Sequence, residues 1–154
     1  MHPDLPRTAW QGEELHELLP HRPPFRLIDR FQLVEAQARG VGWWTPDPND
    51  PVFSGHFPGD PVLPGVLTLE ACAQTAAALA LAGAPASRGT SVFLAGIESA
   101  RFRRPIRPGE TLQISVSVGS IRRGIWKLDA EVHIGETRAC SCTLTAALPD
   151  PQGT

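Results

Sequence analysis

His56 and Glu70 are the two side chains of this 154-residue sequence best placed to move protons. Between Gly55 and Gly65 the chain also holds Pro58, Gly59, Pro61 and Pro64, so the backbone around His56 can be neither helix nor regular strand and forms a stiff loop. From Val66 to Leu81 the composition turns to Leu, Ala, Thr and Cys with no Gly or Pro, which predicts one helix of roughly 24 Å, stopped by Gly83. Glu70 and Gln74 are four apart and share one face of it. Most other positions are apolar, the pattern of a helix buried nearly all round. A carboxyl on such a helix can serve as a general acid, and a histidine on a rigid loop as the complementary base near neutral pH. The same pair also fits a bland account, a hydrogen-bonded core carboxyl and a plain loop histidine, because structural networks use the same groups.

Where the loop enters the helix, Gly65 offers a backbone N–H with no intrahelical acceptor and no Cβ to keep a ligand oxygen away, and the helix dipole favours negative charge there. Pro64-Gly65 also serves simply to turn the chain. His21 and Arg22, in a His-Arg-Pro-Pro turn, are expected to stitch that loop to backbone carbonyls or to a neighbouring carboxylate rather than to act in chemistry. Cys72, Cys140 and Cys142 make no disulfide framework. Cys140-x-Cys142 on a strand would face one way, but without a second Cys or His pair at ligand spacing the thiols read as small buried hydrophobes, and no metal or other cofactor is expected.

A formal net charge of −2 argues against a nucleic-acid binder. The N-terminal residues lack the apolar core of a secretion signal, and no run of 18 apolar residues occurs, so neither export nor a membrane span is indicated and a cytoplasmic location is expected. The length fits one domain over 1–154, with 1–12 and 149–154 expected to be flexible.

The elements that must position these residues follow from pattern and punctuation. A short helix is expected from Gly12 to Leu19, stopped by Pro20, and strands near Phe25–Glu35 and Gln37–Thr45. Pro46 to Pro51 is a turn cluster leading to the histidine loop. After the helix come strands near Ser91–Arg103, Thr111–Arg122, Gly124–Ile134 and Glu136–Ala147. Breaks at Arg123-Gly124 and Gly135-Glu136 make the last three hairpin-linked antiparallel neighbours. The class is α+β, an antiparallel sheet of about six strands around one long central helix. The alanines at 71, 73, 76, 77, 78 and 80 let such a sheet approach the helix closely.

Three ordered blocks carry a more specific signal: Gly55-His56-Phe57-Pro58-Gly59 with Pro61 to Val66 and Leu69 to Gln74; Leu19-Pro20-His21-Arg22-Pro23-Pro24-Phe25-Arg26-Leu27-Ile28-Asp29-Arg30 upstream; and Leu94 to Glu110 downstream. Together they resemble FabZ-type (3R)-hydroxyacyl-acyl-carrier-protein dehydratases over about 14–148. The resemblance implies the hot-dog fold, dehydration of a 3-hydroxyacyl thioester to a trans-2-enoyl thioester, His56 as base and Glu70 as acid, and the N–H groups led by Gly65 as the cradle of the thioester oxygen. It also implies substrate contacts for Val66, Gln74 and Phe57. Glu at position 70, where a related dehydratase/isomerase branch carries Asp, favours dehydration without isomerisation. The implied partner is acyl carrier protein, which is acidic, so Arg101, Arg103, Arg104 and Arg107 become its docking candidates. A dimer with shared sites is implied as well, alone or in a trimer of dimers, or else pairing with a homologous hot-dog subunit. Two rivals remain open: a hot-dog acyl-thioesterase using the helix carboxylate to activate water, and a non-catalytic acyl-binding subunit.

Overall fold

The computed structural model describes residues 7–148, so expectations for 1–6 and 149–154 lie outside the described residues. Seven strands form one antiparallel sheet: β1 (Ala9–Gln11), β2 (Arg30–Glu35), β3 (Arg39–Trp44), β4 (Phe93–Phe102), β5 (Leu112–Arg122), β6 (Ile125–Ile134) and β7 (Thr137–Ala147). Their order is β1-β2-β3-β5-β6-β7-β4. A short helix α1 (Val52–Gly55) precedes the histidine loop, and the long helix α2 (Gly65–Ala82) follows it.

Strand alternation decides which face meets α2. Trp126, Leu128, Ala130 and Val132 of β6 point inward, as do Leu112, Ile114 and Val116 of β5, and all are buried. The helix answers with Ala71, Cys72 and the run Ala76 to Ala82, also buried. Two-thirds of this helix is enclosed, so although long and apolar enough to cross a membrane it serves as the core of the sheet. With one long helix wrapped by an antiparallel sheet, this is the α+β hot-dog arrangement expected from the sequence.

Helix and sheet approach closely at Gly42 of β3, where a Cβ would sit 2.5 Å from Thr75 Oγ1. Thr75 in turn donates to Ala71 O at 2.9 Å and cannot swing away cheaply. Gly42→Ala is therefore expected to push α2 off β3 and cost about 1–3 kcal/mol, read as a lower denaturation midpoint in urea. Because α2 carries Glu70 five residues before Thr75, turnover should fall with stability.

Several expectations need correction. Phe25 to Asp29 is not strand: Phe25 O and Leu27 N bond the Gln74 side chain at 2.8 and 2.7 Å instead of joining a ladder. Only Arg30–Glu35 of that segment pairs. Residues 7–12 are not a loose lead-in. Ala9–Gln11 pairs with β2, and Trp10 is fully buried against Phe31, with ring centroids 6.1 Å apart. The sheet thus has seven strands where about six were expected.

Strand β4 stands at the sheet's far edge with only β7 beside it. It is exposed along nearly its whole length, including Phe93 and Phe102.

Candidate active site

The loop that carries His56 is closed by its own backbone. Phe57 N donates to Asp60 O and Asp60 N to Phe57 O, both at 2.9 Å, and Val62 N donates to His56 O at 2.8 Å. Arg107 clasps it from outside, pairing with Asp60 and donating to Pro61 O. Inside this frame His56 Nδ1 lies 2.7 Å from Val62 O. A carbonyl only accepts, so Nδ1 carries a proton, and in the neutral ring Nε2 holds the lone pair. The Phe57 ring stacks on the imidazole, centroids 4.0 Å apart, and limits its rotation.

His56 opens on a cavity of about 410 Å³ lined by Gly65, Thr68, Phe102, Arg103 and Arg104 among others. Gly65 is the first residue of α2, after Pro64, and no side chain caps that end. Its N–H therefore has no intrahelical acceptor, and the residue itself lines the cavity. The glycine is required sterically as well: a Cβ there would lie 2.9 Å from the Phe102 ring. That contact was not legible in the sequence, since Phe102 reads there only as one more strand residue.

Glu70 sits elsewhere. Its cavity, about 170 Å³, is lined by His21, Gln74, Ala73, Ala76, Ala77, Val92, Phe93, Leu94, Leu144 and Ala146. Gln74, 1% exposed, has every polar hydrogen occupied: it donates to Phe25 O and to Glu70 Oε1 (3.1 Å) while accepting from Leu27 N. It holds the carboxyl and has no N–H left for a ligand. His21 Nε2 lies 3.8 Å from the same Glu70 oxygen. Arg22 does the stitching to carbonyls, donating to Leu19 O and His21 O.

Within one chain, then, the structure joins His56 with Gly65, and Glu70 with Gln74 and His21, but the two groups line separate cavities. Val66 is 72% exposed beside the first of them. A larger concavity, about 610 Å³ over the outer face of the sheet, touches none of these residues.

The four arginines divide. Arg104 donates to both oxygens of Glu110, at 2.9 and 2.6 Å. Burial pushes the Glu110 carboxyl up, but the Arg107 N–H and the Arg104 guanidinium outweigh it and hold the group below the ordinary carboxylate range. Arg107 is engaged by Asp60. Arg101 and Arg103 make no ion pair among the described residues, so the run presents two uncommitted cations where four were expected. The cysteines are free and buried in the core. Burial pushes the Cys140 thiol up to about 12, and a hydrogen bond to Cys142 together with burial raises Cys72 well above the ordinary thiol range.

Comparison with known proteins bears on the family and the fold. The model of the FabA-like domain matches residues 19–143. The 3-hydroxyacyl-[acyl-carrier-protein] dehydratase FabZ of Chloroflexus aggregans is 46% identical over 139 residues, covering 90% of this chain and 96% of the relative. The protein of the same name from Thermomicrobium roseum is 44% identical over 144 residues, 94% of each chain. Among solved structures, the uncharacterized protein PH1136 from Pyrococcus horikoshii superposes with a TM-score of 0.59 over 95% of both chains at 13% identity. The dehydratase heterocomplex ApeI:P from Xenorhabdus doucetiae gives 0.57, covering 74% of this chain and 91% of that one, at 23% identity. At such identities the structural likeness speaks to the fold.

Proposed function

This chain belongs to the FabA-like family, and from that membership we propose that it removes water from 3-hydroxyacyl groups carried on acyl carrier protein, in fatty acid biosynthesis, with His56 as base and Glu70 as acid. It is a carbon–oxygen lyase. The observation that carries the division of labour is the tautomer of His56: Nδ1–H spent on Val62 O leaves Nε2 free to accept a proton.

The steps follow from the residues. His56 Nε2 takes the proton from C2 of the acyl chain. Charge builds on the thioester oxygen, where the Gly65 N–H and the positive end of α2 stabilise it. The C3–O bond then breaks as Glu70 supplies a proton to the departing hydroxyl, and water leaves with a C2=C3 double bond behind it. The net change is one water lost, with one proton to be returned from His56 to Glu70 before the next turnover. The (3R) substrate and trans product belong to this reading, as does a single domain acting in the cytoplasm. Phe57 steadies the imidazole, and Val66 flanks the thioester.

Since the two groups line different cavities of one chain, the working site takes His56 from one protomer and Glu70 from a partner copy. The open, apolar edge of β4 supports such pairing. Incubation with 3-hydroxyacyl carrier protein and mass analysis tests the activity: an enoyl product with the thioester intact is expected, whereas free carrier thiol would indicate a thioesterase and an unchanged substrate a non-catalytic subunit.

Carrier docking rests on the uncommitted cations. Arg103, beside the His56 cavity, and Arg101, two positions earlier on β4, are placed to meet an acidic carrier. Arg103→Glu is expected to raise KM for carrier-bound substrate about tenfold at low salt, with the effect shrinking as salt rises. A small pantetheine thioester should be used as before. Arg104→Glu would break the Glu110 pair, so its losses should fall on both substrates alike.

A further inference from the structure

The acid of the proposed reaction has two oxygens, and the chain treats them differently. Gln74 Nε2 donates to Glu70 Oε1 at 3.1 Å, and His21 Nε2 lies 3.8 Å from that same oxygen. Among the described residues nothing bonds Oε2. His21 comes from the loop after Leu19, 49 residues away in sequence, and Glu70 is its one carboxylate partner among the described residues. We propose that His21 is a positioning residue for the acid: with Gln74 it aims a second N–H at Oε1, so that Oε2 is the oxygen left to carry the proton to the substrate. The proposal rests on Glu70 being the acid.

The tautomer follows from satisfaction. His21 Nδ1 is buried with no partner among the described residues. A proton there would be a donor stranded without an acceptor, which folded proteins rarely tolerate. Placed on Nε2 instead, it points to Oε1, and Nδ1 keeps only a lone pair. At 3.8 Å the bond is not yet made, and catalytic contacts commonly tighten only in the substrate complex.

The charge state fits as well. Burial lowers the His21 pKa, and although Glu70 raises it, Arg22 lowers it further. The ring is therefore neutral near pH 7 and donates as a dipole, without drawing Glu70 into an ion pair that would strip its proton. Among the described residues of its own chain no other charged group faces the carboxyl: from β4, β7 and the residues before β4 it meets Phe93, Leu94, Leu144, Ala146 and Val92, and from its own helix Gln74, Ala73, Ala76 and Ala77. In the proposed working site the one further titratable group is the base, His56, of the other copy. Arg22 turns its guanidinium toward Leu19 O, His21 O and His16 O.

Once the His21 contact closes in the substrate complex, two N–H donors on Oε1 stabilise the carboxylate formed as the proton leaves. Removing one should make Glu70 hold its proton to higher pH. The test compares His21→Phe, which keeps volume and loses the donor, with His21→Gln, whose amide nitrogen can reach the place of Nε2, and His21→Asn, whose shorter amide cannot. His21→Phe and His21→Asn should lose about tenfold in kcat with little change in KM, the worth of one hydrogen bond to a forming charge. Their alkaline limb in the pH profile should move up, and His21→Gln should restore both kcat and limb. If kcat falls with the limb unmoved, or if Gln behaves like Asn, His21 only packs and the proposal is overturned. Glu70→Gln measured alongside separates this from the parent reading: an alkaline limb that persists in that variant removes Glu70 as the acid, whatever the His21 variants do. Should His21→Phe fail to fold, the Asn and Gln pair decides the matter alone.

Discussion

His56→Ala and Glu70→Gln are each expected to lower kcat by 10²–10⁴ while leaving the fold intact, because each removes one partner in a proton transfer that the other cannot make. His56 is half-buried on a loop fixed by backbone bonds that do not involve its ring, apart from the single contact to Val62 O. Its loss should therefore leave the denaturation midpoint nearly unchanged. Glu70→Gln keeps the shape of the carboxyl and an oxygen able to accept from Gln74, so α2 stays tied to Phe25 and Leu27 through Gln74. What it removes is the transferable proton. Circular dichroism and a urea transition report the fold, and single-turnover enoyl formation reports the chemistry. Near-normal turnover in either folded variant would end the assignment of that residue.

Mixing two inactive proteins is expected to restore activity. With His56 and Glu70 contributed by different protomers, a dimer of His56→Ala with Glu70→Ala has one site lacking both residues and one site with both intact. Random pairing makes half of all dimers mixed, and each holds one good site of two, so co-refolding should recover about a quarter of the wild-type rate. The two proteins folded separately and then combined without exchange should stay inactive, which controls for residual activity of either. If both residues of a site came from one chain, every site in the mixture would lack one of them and the rate would not rise. The separate cavities around His56 and Glu70 favour the first outcome.

The sequence showed α2 and the last four strands clearly because local signals agree there. The change to an Ala-rich run without Gly or Pro marks the helix to within a residue or two of Gly65–Ala82, and inward alternation marks β5 to β7. It misread Phe25 to Asp29 because alternation predicts a strand only if the backbone is free to pair, and here Gln74, some 47 residues away, takes those groups. It missed β1 because three residues carry no period, and Trp10 is buried by partners distant in sequence. It found His56, Glu70, Gly65 and Gln74 as candidates, yet could not show that Gln74 has no hydrogen to spare. Nor could counting arginines reveal that Arg104 and Arg107 are committed to Glu110 and Asp60. Pairings across tens of residues leave no periodic trace.

The exposed edge of β4 also bears on how the chain survives its own synthesis. A ten-residue strand with one row of N–H and C=O groups unpaired, carrying Phe93, Leu94, Ile97 and Phe102 at the surface, is a template for any other extended segment it meets. Glu98 and Arg101 interrupt the apolar run, but a proline that would blunt the edge is absent from it. A variant that weakens pairing at β4 should therefore not accumulate as a soluble monomer. It should precipitate on expression, and the loss should deepen with temperature and chain concentration, as for a sticky edge rather than an unfolded core.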